Sequence, residues 1–452
     1  MKYILTLFTI LLFASNSLGQ EEQRSYNFTL EEAITFALDS NRTAINARRD
    51  IAKAIKQKWE TTATGLPQIN GAIDYQKQLR QPTTFIPAEL FGGEPGTFQP
   101  VIFGTQQNAS VVATLNQLIF DGSYLVGLQA AKTFLEFSEN ANEKTKLEVR
   151  KGVINAYGGV LIARESVAIL DKNLATLKQN LDETKLIVEN GLTESENAEQ
   201  LELTYKQLLN QRDNAKRLEE ITLQMFNNAL GLDVGANTTL TQSLEDLAAP
   251  ALDLMSSNFS VDNNVDWKIA TNLTQQRELE LKLEKSRALP SLNGFINFGT
   301  TTGQDRFNFF NANTPWFAQS IAGASLQVPI FSSGLRNAKT AKAKIALEQA
   351  NTDLAETIQQ IELAFAKAKN DHQFAINTFQ NKRDNLALAE RIENKNRIKF
   401  KEGVGSSFDL RQAQTQLYSI QQEVLQSMLD IVITKAELET VLNIPDYRQS
   451  RN

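Results

Sequence analysis

The chain has 452 residues, of which 42% are hydrophobic and 22% charged, with ten prolines, one histidine and no cysteine. The formal charge of −6 argues against nucleic-acid binding, because neutralising phosphates needs a basic surface. The lack of cysteine excludes disulfides, thiolate metal sites and thiol catalysis, and a lone His372 excludes a multi-histidine metal site. At about 100–200 residues per domain, the length predicts about two to four domains unless long elements replace compact cores.

The N-terminus, residues 1–19, has the pattern of a cleaved secretory signal peptide. Lys2 precedes an apolar run over 3–14, and Ser17 and Gly19 stand three and one positions before a predicted cut ahead of Gln20. The run is shorter than the ~20 residues of a spanning helix, and no later apolar helical stretch of that length is expected. The sequence therefore predicts export.

A helix is predicted at about 30–63, followed by two strand-like segments. Their side chains alternate between an apolar face, with Ile69 and Ile73, and a polar face, with Asn70 and Asp74. Alternation of this kind over about ten residues is typical of transmembrane β-barrel strands, and it also fits a half-buried soluble sheet. The loop over 81–105, rich in Pro and Gly, and its counterpart over 303–315 are predicted to face the cell exterior.

Two long tracts without proline follow, one between Pro100 and Pro250 and one between Pro329 and Pro445. Their Ala, Leu, Glu, Lys and Gln favour helix, and proline would break a helix interior. Apolar residues seven apart predict coiled-coil-like packing; they are Val167, Leu174, Leu181 and Val188, and Leu347, Leu354, Ile361, Ala368 and Ala375.

The chain is internally duplicated. Leu-Pro-x-x-Asn-Gly at 66–71 recurs at 289–294. An Ile-Phe pair at 119–120, with a glycine shortly after it, recurs at 330–331. Gly403 follows Gly191 by 212 residues, and Val441 follows Ala229 by the same offset. The predicted organisation is a signal peptide over 1–19, one repeat over 20–240, a second over 241–445, and a tail over 446–452.

Four predicted strands cannot close a membrane barrel alone, because transmembrane sheets leave no open edge. Two copies would give eight strands with a filled lumen, whereas three would give 12 with room for a passage. The predicted helix over 122–190 would extend for about 100 Å at 1.5 Å per residue. A helical tube that continues a membrane barrel would use a helix of that length.

The duplicated halves, the Leu-Pro and Ile-Phe landmarks and the glycine turns resemble the TolC-type outer-membrane efflux protein family over about residues 28–445. The resemblance implies a mixed, mainly α fold. Duplicated long-helix coiled-coil hairpins would form a trimeric α-barrel, and four transmembrane strands per chain would contribute to a shared 12-stranded β-barrel. It also implies a homotrimer in the outer membrane of a Gram-negative bacterium, which works with a periplasmic adaptor protein and an inner-membrane pump. Neither a cofactor nor catalysis is implied.

The family's adaptor-contacting hairpin tips match two turns of this sequence, at Gly191, Leu192 and Thr193, and at Gly403, Val404, Gly405 and Ser406. The family also places two lumen-facing acids three residues apart after the second tip, where this sequence has Asp409 and Gln412. Asn197 stands where relatives often have an acidic gate residue. The resemblance thus implies a periplasmic gate at Asp409, Gln412 and Asn197, with one acidic layer instead of two.

Some interpretations stay open from the sequence. Arg411 is a candidate partner for Glu196 or Glu199, His372 is expected to pack between helices, and Gly158-Gly159 predicts a bend or a close approach.

The alternative function is a periplasmic adaptor, which would need a compact β-rich domain and no membrane strands. A surface enzyme is a third interpretation, although no two carboxylates are tied to one pocket. The exported substrate is not readable from the residues.

Overall fold

The computed structural model describes residues 25–248 and 259–443, so the predicted signal peptide and C-terminal tail lie outside the described residues. The chain divides into two compact units. The first contains the described parts of 1–51, 137–271 and 353–452, and the second contains 52–136 and 272–352.

The first half of the chain supplies the elements β1 to α4. They are β1 (Tyr26–Phe28), α1 (Leu30–Ser40), α2 (Arg42–Ala63), β2 (Gln68–Lys77), β3 (Thr83–Pro87), a 3-10 turn (Ala88–Phe91), β4 (Phe98–Ile102), β5 (Gln107–Phe120), α3 (Gly122–Glu189) and α4 (Ser195–Leu230).

The second half supplies the elements β6 to α8. They are β6 (Thr238–Leu240), α5 (Leu244–Ala248), a 3-10 turn (Val261–Asn263), α6 (Val265–Ser286), β7 (Ser291–Gln304), β8 (Phe317–Gln327), α7 (Leu335–Lys401) and α8 (Ser407–Val441). The order helix, strand, strand, long helix, helix therefore occurs in both halves.

The predicted helix at about 30–63 is two helices, and Asn41 is the reason. The Asn41 backbone is extended, with ψ 132°, which ends α1. Its Oδ1 accepts a hydrogen bond from the Thr43 amide at 2.8 Å, which caps α2, and its Nδ2 donates to the Ala229 carbonyl at 2.8 Å. Asparagine favours such caps, and a tertiary contact fixes the break here.

Strand β1 pairs with β6 in parallel, joining the two halves in the first unit. The partners are Tyr26 with Thr238 and Phe28 with Leu240. Each pair is 212 residues apart, the same offset as Gly191 and Gly403. The offset makes β6 the equivalent of β1, although the predicted boundary at 240/241 leaves both strands in the first repeat.

In the second unit, four strands form one antiparallel sheet in the order β2-β5-β7-β8. Ile73 lies beside Val111, and Leu115 beside Ile296, on a mostly apolar face. The opposite face is mostly polar, with Asp74 beside Ser110. All residues of β2 and β8 are exposed, and within the described residues the outer edges of these two strands have no partner strand.

The predicted loop over 81–105 contains a hairpin that its proline and glycine content did not predict. Strands β3 and β4 pair antiparallel, with Thr83 opposite Ile102, and Gly92 and Gly96 take positive φ in the turn. The landmarks Leu66 and Ile119 are 53 residues apart, whereas their equivalents Leu289 and Ile330 are 41 apart. The hairpin lies in the longer interval and has no counterpart between β7 and β8, so it accounts for the extra residues of the first repeat.

Helices α3, α4 and α8 enclose the apolar core of the first unit. Its buried residues include Phe28, Ile34, Tyr157, Phe226 and Val432. A second cluster packs α3 against α4, and there the sevenfold residues Val167, Leu174 and Leu181 are buried as their spacing predicted.

Helix α3 is more apolar than the sequence led us to expect. By length and composition alone, α3 contains a stretch of 18 residues that is apolar enough to cross a membrane. The expectation of no such stretch after the N-terminus is therefore wrong. Half of this stretch is buried inside the protein, as in the core helix of a soluble domain.

Two other predicted features of the long helices have a packing role. A Cβ on Gly158 would come within 2.6 Å of Leu429 Cδ1, so this glycine allows a close approach between α3 and α8. His372 is fully buried, and its Nδ1 lies 3.0 Å from Thr434 Oγ1 on α8.

Candidate functional site

The candidate site lies at the two turns that join the long helices, residues 191–193 (the first tip) and residues 403–406 (the second tip). Gly191 and Gly403 have φ values of 72° and 73°, the left-handed region that favours glycine. The Gly191 amide donates to the Val188 carbonyl at 2.9 Å, and the Gly403 amide donates to the Phe400 carbonyl at 3.1 Å. These bonds close each long helix with the same C-terminal turn.

Each tip presents an apolar side chain beside its glycine. Leu192 and Val404 are both 78% exposed. A Cβ added at Gly191 or Gly403 would meet nothing within 4 Å. The two turns are therefore alike in backbone and in their exposed apolar residue.

The second tip leads into α8 through a capped first turn. Ser406 Oγ accepts a hydrogen bond from the Asp409 amide at 3.1 Å and donates to Asp409 Oδ2 at 2.8 Å. The carboxylate is exposed in the first helical turn, where the helix dipole favours negative charge. Gln412, one turn later, is also exposed and lines an open groove along α8 with Arg411 and Gln416.

Asn197 links the two hairpins. Its Nδ2 donates to Thr193 Oγ1 of the first tip at 2.8 Å, and its Oδ1 accepts a hydrogen bond from Ser407 Oγ of α8. Ser407 is 7% exposed, so this contact is shielded from water. Sequence reasoning missed Ser407. No local signal could have found it, because Ser407 lies 210 residues from its partner Asn197.

Ion pairs tie the ends of the long helices together near the tips. Lys401 of α7 lies 3.3 Å from Glu183 of α3, and Lys185 of α3 lies 3.1 Å from Glu202 of α4. The pKa of Glu183 is lowered by hydrogen bonds from Gln179 and Lys401. These pairs are exposed, so each contributes little to stability.

Arg411 does not make the predicted ion pair. Its guanidinium carbon lies 5.4 Å from the centre of the Phe408 ring, a cation–π contact within the first turns of α8. Neither Glu196 nor Glu199 pairs with it among the described residues, and Glu196 accepts a hydrogen bond from Gln200 at 2.9 Å instead. The contact forms because Phe408 and Arg411 are three apart on one helical face.

The architecture combines duplicated long helical hairpins with a four-stranded antiparallel sheet. Residues 261–443 match the sequence profile of a family described as outer membrane efflux protein. A search of curated protein sequences found no significant match. The resemblance to TolC-type outer-membrane efflux proteins predicted from the sequence is confirmed, through the second half of the chain and through the fold.

Solved outer-membrane proteins share the fold across most of this chain. VceC from Vibrio cholerae has a TM-score of 0.72 at 13% identity, covering 92% of this chain and 96% of its own. CusC has a TM-score of 0.74 at 17% identity, and the match covers 94% of this chain and 95% of CusC. The open state of the MtrE channel of Neisseria gonorrhoeae has a TM-score of 0.70 at 16% identity, and the match covers 92% of this chain and 88% of MtrE. At these identities the likeness establishes the fold.

Proposed function

We propose that the protein is one subunit of a homotrimeric outer-membrane channel, the exit duct of a tripartite efflux or type I secretion system. The observation that carries the proposal is the four-stranded sheet, which has an uncovered apolar face and two edges without a partner strand among the described residues. An apolar face toward lipid and a polar face toward a lumen are what a membrane barrel requires. The match to the efflux family over 261–443 supports the same function.

Closure of the barrel needs three chains in this proposal. β2 and β8 have 10 and 11 residues, the length of a strand that crosses a membrane, about 9–11 residues. Their free edges would pair between neighbouring chains, giving 12 strands and an open lumen. A periplasmic adaptor, the alternative from the sequence, would have no use for a sheet with one bare apolar face. We expect no bond-changing activity.

The tips would receive the adaptor protein that connects the channel to an inner-membrane pump. The exposed Leu192 and Val404 would provide two similar apolar contacts per chain, with Thr193 and Gly405 beside them. Three chains would then present six nearly equivalent contacts. The cargo, small molecules or polypeptides, would be selected mainly by the pump.

Asp409, Gln412 and Asn197 would form the periplasmic gate. Asp409 offers an exposed carboxylate without a cationic partner among the described residues, so three copies would make a ring of negative charge. Gln412 would add hydrogen bonds to that ring but no charge. Asn197 would hold the two hairpins together through the neutral contact with Ser407.

The gate assignment is tested by channel recording in planar bilayers. Acidic rings raise the local cation concentration and repel anions. Asp409→Asn should therefore lower the cation-to-anion selectivity at neutral pH, and the effect should be largest at low salt. Asp384→Asn, the same neutralisation of an exposed residue 17 positions before the end of α7 at Lys401, should leave selectivity unchanged. Unchanged selectivity in Asp409→Asn would place Asp409 outside the constriction.

A further inference from the structure

The second unit carries a basic band where helices α6 and α7 join the sheet. α6 ends at Ser286 just before β7, and α7 begins at Leu335 just after β8, so both helices meet the same end of the sheet. Residues 335–347 contain Arg336, Lys339, Lys342 and Lys344 and no acidic residue, in a chain with a net charge of −6. The sign of the charge is thus reversed locally.

Most of these cations are not used inside the protein. Arg336 holds the turn before α7 through the Pro329 carbonyl at 2.8 Å. By contrast, Lys339 and Lys342 of α7, and Lys285 beside them at the end of α6, are exposed and have no ion-pair partner among the described residues. Lys344 lies 3.8 Å from Glu348. Unneutralised lysines on one surface indicate an anionic partner.

Two of the lysines converge on one groove between α6 and α7. Lys285 and Lys344 line it together with the polar side chains of Asn337 and Thr340. Leu281 and Leu347 provide apolar contacts, and Glu348 lies at the same groove. Two ammonium groups, hydrogen-bonding side chains and apolar contacts fit a phosphate group attached to an apolar body.

In the proposed membrane position of the sheet, the band would lie at the depth of lipid phosphates. The apolar sheet face ends near Ile330 and Phe331, which are 88% and 85% exposed. Lys339 follows the start of α7 by about 6 Å and Lys344 by about 14 Å, at 1.5 Å per residue. The apolar sheet face, the exposed Phe331 and the lysines follow one another along the chain. This order matches the hydrocarbon, interface and headgroup layers of a membrane.

We infer that the groove formed by Lys285 and Lys344 binds the headgroup of an anionic glycerophospholipid in the periplasmic leaflet. The inference rests on the proposed membrane position of the sheet. A lipid bound there would fix the depth of the sheet and of the two helices that enter it. Lys339 and Lys342 would add attraction for neighbouring anionic headgroups.

Native mass spectrometry of the detergent-solubilised full protein with phosphatidylglycerol and phosphatidylethanolamine tests this inference. The wild type should retain phosphatidylglycerol preferentially. The double variant Lys285→Gln/Lys344→Gln should bind phosphatidylglycerol about thirtyfold more weakly, because each lysine near an anionic surface contributes about fivefold to the affinity. The matched control Lys367→Gln/Lys369→Gln removes two exposed lysines later in α7 and should keep the wild-type affinity.

Equal retention by the double variant, or an equal loss in the control, would overturn the inference. Displacement of the lipid by millimolar inorganic phosphate would show a site for a soluble anion and would also overturn it. Channel recording on the same preparations separates the two proposals. Channels without a lipid preference refute the lipid site alone, whereas a lack of channels refutes the proposed function.

Discussion

At the residue scale, the glycines of the two tips are determined by backbone conformation. Gly191 and Gly403 have positive φ, and a Cβ added at either would meet no atom within 4 Å, so conformational strain, and not a clash, opposes substitution. For other residues the left-handed region costs roughly 1–2 kcal/mol. That cost would fall on the shape of the tip and not on the helices that lead to it.

We therefore expect Gly403→Val to impair export while the trimer and its membrane insertion persist. The strained turn would displace the exposed Val404 from its docking position. The measurement is accumulation of a fluorescent pump substrate in cells, with the oligomer checked in detergent. Gly152→Val is the control, since this exposed helical glycine also has free space around it but no positive φ. Normal export in Gly403→Val and in the matching Gly191→Val would contradict docking at the tips.

At the scale of elements, His372 is a contact between α7 and α8 whose protonation matters to packing. His372 Nδ1 lies 3.0 Å from Thr434 Oγ1, which donates to the Asp430 carbonyl at 2.7 Å. Burial lowers the pKa of His372, the positive charge of Lys435 lowers it further, and Glu439 opposes the shift. The folded state therefore favours the neutral ring.

The sign of the pH effect follows from this lowered pKa. As pH falls below about 6.5, the unfolded chain binds a proton at this histidine before the folded chain does, so stability decreases. The Tm of His372→Gln should therefore fall less between neutral and mildly acidic pH than the Tm of the wild type, because the variant lacks the titrating histidine. The comparison is the change in Tm between neutral and mildly acidic pH. The same change in both proteins would show that His372 does not contribute.

The elements also show what a sequence can and cannot predict. Long helices, the tips and the alternating strands were predictable, because proline spacing, glycine and period-two alternation are local signals. The break at Asn41, the β1–β6 pair and the Asn197–Ser407 contact depend on residues about 190 to 212 positions away. No local pattern specifies such partners, although the duplication offset points to the β1–β6 pair.

A buried ion pair between α3 and α8 illustrates the same limit. Arg150 lies 2.5 Å from Glu439, and both side chains are at most 9% exposed. Each residue alone resembles an ordinary charged position on a long helix. Only the packing of the two helices, which the sequence does not state, makes them partners.

At the scale of the whole molecule, the central claim is that three copies close one barrel through the edges of β2 and β8. An isolated sheet with bare edges is not stable in a membrane, because every backbone group there needs a partner. The proposed trimer would satisfy both edges at once. It would also give the polar face a water-filled lumen.

Disulfide crosslinking tests this closure most directly, because the chain has no native cysteine. Ile73→Cys on β2 is combined in turn with Ala318→Cys, Ala322→Cys and Ala324→Cys on β8, all on the apolar face. A control places the first cysteine at Val111, which lies beside Ile73 but on the central strand β5.

Oxidation in the membrane should give covalent trimers on a denaturing gel for at least one Ile73 pair, since a disulfide needs Cα atoms about 4.4–6.8 Å apart. The Val111 series should stay monomeric, because β2 and β7 of its own chain flank that strand. Covalent dimers as the largest product, or monomers in every register, would contradict a barrel shared by three chains.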